Sequence, residues 1–268
     1  MMDILHLPMI NLTPTMRCNL KCRLCGVLVP QYKYRPHMTL TEFFHTLAEV
    51  FNIVDRVGKL QITGGEPLLH AELPEMIEEC FRYHERFEKL WLITNSAVPV
   101  SQRLGDVLVT HKDKLVVHIS DYGVRRDVTD EMIRFFDNNG IAYKYLKYYG
   151  KEQYSDGWVD QGDFEKHDRP EAALAEVFSK CSHVVRGGSW YVRGGQMHWC
   201  GRSIRGTELE KVQLRDEDYL DIFAGTLAER RGKLRKLIQS QYILACDYCN
   251  GYYGTDDIGK RHLAGEQM

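Results

Sequence analysis

The chain has 268 residues, 44% of them hydrophobic, enough for one large domain with a smaller appendage. Its 35 basic and 37 acidic residues leave a formal net charge of −2, which supplies no basic face for nucleic acid. No apolar run approaches the roughly 18 residues needed to cross a bilayer, and the opening residues lack the basic start and apolar core of a signal peptide, so a cytoplasmic protein with no membrane partner is expected.

In chain order, the first half alternates strand-like and helix-like segments. Residues 9–12, 59–63, 90–94, 115–120 and 141–147 are short apolar runs rich in β-branched or aromatic residues and read as strands. Thr39 and Glu42 have capping-box spacing. Behind them Leu40, Phe43, Phe44, Leu47, Val50, Phe51 and Val54 follow at helical intervals, a face to lay on a sheet. Further helices are expected over 74–87, 102–109 and 130–138, the last stopped by Asn139-Gly140. Strand–helix–strand order implies a parallel sheet with helices outside it. Five or six such units suit an α/β fold, an open partial (β/α) barrel with its chemistry at the C-terminal strand ends. Cys18, Gly64 and Ser120 fall at or just past such ends.

Beyond Gly150 the pattern breaks. Residues 151–170 are polar and read as a linker or last barrel unit, between a core at 1–150 and a small α+β domain at 171–268. There, 190–192 and 196–199 flank Arg193-Gly194-Gly195, a hairpin signal, and a helix over 227–239 precedes a final cysteine pair.

Eight cysteines in a reducing compartment point to metal or redox chemistry rather than disulfides. Cys18, Cys22 and Cys25 form C-x3-C-x2-C on the loop after the first strand. Three such thiolates can hold three irons of a [4Fe–4S] cube and leave the fourth open, with structural zinc as the competing reading. The run Gly64-Gly65-Glu66-Pro67 follows the second strand. Cys181, Cys200, Cys246 and Cys249, separated by 18, 45 and two residues, can saturate a second [4Fe–4S] cluster or form a zinc ribbon. Cys80, on an outer helix, reads as packing.

The cysteine loop, the GGEP run and the barrel-like alternation together resemble the radical S-adenosylmethionine (SAM) superfamily. The resemblance implies SAM chelated to the open iron, its reductive cleavage to a 5′-deoxyadenosyl radical, and hydrogen abstraction from a substrate. It implies that Gly64, Gly65, Glu66 and Pro67 border the SAM amino group, with Glu66 accepting a hydrogen bond from it. Ser120 would contact the ribose or carboxylate, and Thr94 and Asn95 match the family's third strand end. The backbone of Leu24 would meet the adenine; Leu24 stands where an aromatic residue is usual. The C-terminal cysteines are similar to the twitch domain, the shortened SPASM extension, in an order like that of the aminocyclitol dehydrogenases of butirosin biosynthesis.

With a saturated auxiliary cluster as electron acceptor, the expected reaction is a two-electron dehydrogenation by a radical SAM oxidoreductase. Its substrate would be small and polar, such as a sugar, cyclitol or nucleotide sugar. Tyr122, Tyr143, Tyr145 and Trp190 are candidates to line the barrel mouth, and flavodoxin or ferredoxin would donate electrons. Lys166, His167 and Arg169 form a candidate region for a base, against the plainer reading of a solvated linker. Epimerisation and peptide modification are the alternatives within the superfamily, and a non-catalytic zinc-binding module is the alternative outside it. Arg230, Arg231, Lys233, Arg235 and Lys236 read as a solvated helix face.

Overall fold

The structure, a computed structural model, describes residues 4–252 and 261–268. The expected alternation forms as β1 (His6–Thr15), α1 (Leu40–Ile53), β2 (Arg56–Gly64), α2 (Leu73–Phe81), β3 (Phe87–Thr94), α3 (Gln102–Thr110), β4 (Leu115–Asp121), α4 (Arg126–Asn139) and β5 (Tyr143–Lys147). The strands lie in the order β5-β4-β3-β2-β1, each neighbouring pair parallel. α1 starts as its sequence dictates: the Thr39 hydroxyl accepts from the Glu42 N–H, and the Glu42 carboxylate accepts from the Thr39 N–H. Leu47 and Val50 then join Leu60 and Ile62 of β2 in the fully buried core.

Two boundaries differ from the sequence reading. α2 stops at Phe81, because Phe87 must be extended to pair with Val57 of β2; residues 84–86 make a single tight turn between them. α4 begins at Arg126, one turn earlier than its apolar periodicity, and ends on Gly140 in the left-handed region (φ 65°).

The second half adds β6 (Trp158–Val159), α5 (Glu171–Lys180), α6 (Ser182–Val185), β7 (Trp190–Arg193), β8 (Gln196–His198), α7 (Gly201–Glu208), β9 (Tyr219–Asp221), α8 (Leu227–Ile238) and β10 (Arg261–His262). The expected hairpin is present, with Gly194 (φ 56°) and Gly195 (φ 78°) supplying the two positive φ angles of a tight turn. β7 hydrogen-bonds to β1 in parallel, Asn11 opposite Tyr191. The hairpin and β9 therefore extend the barrel sheet to eight strands, in the order β5-β4-β3-β2-β1-β7-β8-β9.

The basic run on α8 is not simply a solvated face. Arg231 reaches Asp55 at 2.6 Å and the Ile53 carbonyl at 2.7 Å, and Arg230 reaches Glu49, so two arginines dock α8 on the end of α1. Among the described residues no helix is long and apolar enough to cross a membrane.

Candidate active site

The loop carrying Cys18, Cys22 and Cys25 leaves the C-terminal end of β1 and is pinned by the GGEP run. Gly65 N–H donates to the Thr15 carbonyl at 2.9 Å and Glu66 N–H to the Arg17 carbonyl at 2.8 Å. A Cβ on Gly64 would lie 2.2 Å from the Thr15 carbonyl oxygen, and one on Gly65 2.1 Å from that of Arg17, so no side chain fits at either position. The close backbone approach that the glycines permit is thus made by the chain's own cysteine loop. Cys18 receives N–H donors from Leu20 at 3.4 Å and from the Asn95 amide at 3.7 Å; Cys22 receives one from Gln267 at 3.2 Å. Burial pushes the thiols of Cys18 and Cys22 up to about 11, and iron binding would take their protons.

Glu66 departs from its expected place. It is fully buried, and its carboxylate accepts from the Leu68 N–H at 3.1 Å, the Thr94 hydroxyl at 2.8 Å and the Asn95 N–H at 2.7 Å. Burial raises its pKa to about 7 despite these three donors. The side chain ties the end of β2 to the end of β3 behind the cavity wall, and neither Glu66 nor Pro67 lines the cavity.

That cavity, of about 740 Å³, is lined by Cys18, Cys22, Leu24, Cys25, Gly64, Gly65, Asn95 and Ser120. Below them the strand residues that face the barrel interior form its walls: Lys59, Gln61 and Thr63 of β2, Trp91 and Ile93 of β3, His118 of β4, and Lys144 of β5. Burial, with the charges of Lys144 and Lys59, pushes His118 down to about 4, so its imidazole is neutral at neutral pH. Its Nε2 and the indole nitrogen of Trp91 are buried without a hydrogen-bond partner among the described residues. These interior residues were missed by the sequence reading. Their signal is a period-two polar stripe (Lys59, Gln61, Thr63) alternating with the core residues Leu60 and Ile62.

Of the aromatics expected at the mouth, only Tyr122 lines the cavity. Trp190 is fully buried against Trp199. Tyr143 and Tyr145 instead bond Asp137 and Asp121 with their hydroxyls. Tyr148, Tyr154, Trp158, Tyr191 and Tyr252 supply the aromatic wall.

All eight cysteines are free, and Cys80 is buried in the core on α2. Cys181, Cys200, Cys246 and Cys249 lie near one another: burial pushes Cys200 up to about 12, and the neighbouring Cys181 and Cys249 add to the rise. Cys246 responds to all three of the others. Ser203 N–H donates to Cys200 at 3.4 Å and Gly251 N–H to Cys249 at 3.3 Å. Four thiolates near one another suit either a zinc ion or a four-iron cube that takes each thiolate on a different iron.

The candidate base region is corrected. His167 N–H donates to the Asp247 carbonyl at 2.9 Å. Arg169 donates from its N–H to the Asp247 carboxylate and from its guanidinium to the Cys246 carbonyl, each at 2.9 Å. Lys166 is exposed and paired with Asp168. None of the three lines the cavity; His167 and Arg169 brace the Cys246–Cys249 turn.

Three cysteines on the first strand-end loop of a mostly parallel α/β sheet, held by a Gly-Gly-Glu run, lie within the part of the chain that is similar to a known family: residues 12–141 match the model of the Radical SAM superfamily, a match that implies SAM and a [4Fe–4S] cluster. The three free thiols facing the cavity fit that cluster. The whole chain is similar in fold to BtrN, solved in complex with AdoMet and 2-DOIA, with TM-score 0.52 and 18% identity over 100% of both chains. Native anSMEcpe with bound AdoMet gives TM-score 0.56 and 13% identity over 90% of this chain and 83% of that one. In sequence the chain is similar to the probable GTP 3',8-cyclase of Methanopyrus kandleri, 32% identical over 110 residues, 41% of this chain and 33% of that protein. The GTP 3',8-cyclase of Aquifex aeolicus is 31% identical over 60% of this chain and 61% of that protein. The chain spans between 20% and 61% of the length of the curated relatives it matches.

Proposed function

We propose that the protein is a radical SAM dehydrogenase of a small polar substrate, with Cys181, Cys200, Cys246 and Cys249 holding a second [4Fe–4S] cluster. When bound, SAM and the two clusters supply a radical that removes a hydrogen atom from carbon and an acceptor for the electron released with the second hydrogen's proton. The observation that carries the reading is one cavity whose lining takes in Cys18, Cys22 and Cys25 of the first cysteine set as well as Gly201 and Arg202, next to Cys200 of the second. Asn95 and Ser120 stand where a ligand at the first set would need polar contacts. The neutral His118 and the indole of Trp91 offer an acceptor or donor to a substrate hydroxyl deeper inside. Aromatic walls suit a sugar or cyclitol ring.

A second reading, ring closure or another rearrangement of a nucleotide, is favoured by one feature besides the cyclase relatives. The cavity wall carries Arg23, Lys59, Lys144, Arg186, Arg202 and Arg261 against Asp156 and Asp160, an excess of positive charge that suits a phosphorylated substrate.

The test is iron and sulfide content after anaerobic reconstitution, with dithionite-driven SAM cleavage, for wild type and the Cys18/Cys22/Cys25→Ala variant. About eight irons falling to about four, with loss of SAM cleavage, supports the reading. Zinc retained at the second set would sink the electron-acceptor role. A product lighter by a pair of hydrogens separates dehydrogenation from an isomeric, cyclised product.

A further inference from the structure

Residues 264–268 lie along the cysteine loop. Cys22 and Gln267 form an antiparallel bridge. Arg23 N–H donates to the Glu266 carbonyl at 2.8 Å and Met268 N–H to the Lys21 carbonyl at 2.9 Å, so backbone bonds flank Cys22 on both sides. Within this clamp the Gln267 side chain has a divided role. Its Oε1 accepts from the Lys21 N–H at 2.8 Å, while its Nε2 donates to the Cys22 sulfur at 3.2 Å and to the Gly265 carbonyl at 2.6 Å. The two outer bonds fix the amide's orientation, so the N–H aimed at sulfur is placed by the backbone on either side of it.

We infer that Gln267 is a positioning residue that tunes the first cluster: its amide N–H, hydrogen-bonded to the Cys22 sulfur, raises the reduction potential of the iron–sulfur centre held by Cys18, Cys22 and Cys25. This rests on the reading that those three cysteines hold a cluster. A donor aimed at a thiolate stabilises negative charge there. Cluster reduction adds one electron, so the reduced form gains more from the bond than the oxidised form, and the potential rises. Cys18 has Leu20 and Asn95 as donors; Gln267 brings a donor to Cys22 from the far end of the sequence. The surface ion pair beside it, Arg23 with Glu266 at 3.0 Å, has both side chains well exposed and adds little by comparison.

The test is an EPR-monitored redox titration of the anaerobically reconstituted full chain, with the first cluster's signal picked out by its response to added SAM. The variants are Gln267→Glu, Gln267→Ala and Glu266→Gln. Gln267→Glu keeps the acceptor for the Lys21 N–H and the backbone bonds that flank Cys22, but turns the donating nitrogen into a carboxylate oxygen, so its bonds to the Cys22 sulfur and the Gly265 carbonyl are lost and a negative charge faces the sulfur. Both Gln267 variants should lower the first cluster's reduced-to-oxidised ratio at a fixed potential about tenfold, which is 59 mV for one electron. Glu266→Gln should leave it unchanged, and the second cluster's signal should not move in any variant. An unchanged first-cluster midpoint in Gln267→Glu at full iron content overturns the inference, whatever Gln267→Ala does to loading. If the triple cysteine variant retained all of the wild type's iron, the proposed cofactor site itself would be wrong, a result distinct from an unchanged midpoint on an intact cluster.

Discussion

Replacing Glu66 with Gln separates two roles for the GGEP carboxylate. Within the chain Glu66 accepts three hydrogen bonds while fully buried. The Gln amide keeps one oxygen, which serves the Leu68 N–H and the Thr94 hydroxyl. It turns its NH2 toward the Asn95 N–H, which loses a 2.7 Å bond and faces a second donor. One buried donor left unsatisfied costs about 1–3 kcal/mol, so a loss of about 2 kcal/mol is expected at neutral pH. The pH dependence has a definite sign. Burial raises the folded pKa from 4.5 to about 7, so the folded state holds this proton more tightly than the unfolded chain. Its stabilisation, about 3 kcal/mol in full, is present below the unfolded value and lost as pH rises through about 7. Gln does not titrate. Wild type should therefore exceed E66Q by most at about pH 5, the gap narrowing toward about pH 8. Urea unfolding followed by circular dichroism across that range, with a constant m-value, measures the gap, and equilibrium dialysis measures SAM affinity. Equal stability at every pH, together with a more than tenfold loss of SAM affinity, would refute the structural role and return the carboxylate to the ligand.

Cys200→Ala should lose product while keeping measurable SAM cleavage, because the first cysteine set is untouched; chromatography of 5′-deoxyadenosine and product on the same samples tests this. His118→Phe should raise the KM for substrate about tenfold, the worth of one buried hydrogen bond, and leave substrate-free SAM cleavage within twofold; an unchanged KM would remove His118 from the substrate site. Thr39→Ala should lower stability by about 1 kcal/mol through loss of the α1 cap, read as a shift of the urea midpoint.

What the sequence made legible was local. The α1 capping box, the hairpin glycines and the cysteine loop each depend on residues a few positions apart, and each formed as read. Contacts between distant segments were not legible. β7 could be recognised as half of a hairpin, but nothing in Trp190–Arg193 says that its free edge pairs with β1, 180 positions earlier, and the second half therefore read as a separate unit. Glu66 was misplaced for a related reason. Its motif gives the residue but not the rotamer, and the donors that capture it come from the end of β3. The residues 166–169 misled because a basic stretch before a cysteine has the same composition whether it faces a substrate or braces a turn.

The pairing of β7 with β1 also decides where the two cysteine sets stand. β1 delivers Cys18 past its C-terminal end, beyond Thr15. β7 runs parallel to β1 with Tyr191 at the level of Asn11, and β8 returns with His198 opposite Tyr191. Cys200, two residues past His198, thus leaves the sheet near the level of Met9. Thr15 and Met9 are six positions apart on one strand, about 20 Å at 3.3 Å per residue. The first cysteine set therefore stands past the C-terminal end of β1 and Cys200 toward the opposite end, with Gln61, Trp91 and His118 at strand levels between them. Had β7 paired antiparallel to β1, β8 would have carried Cys200 toward the same rim as Cys18. The parallel register is thus what sends Cys200 toward the other end of the sheet from Cys18.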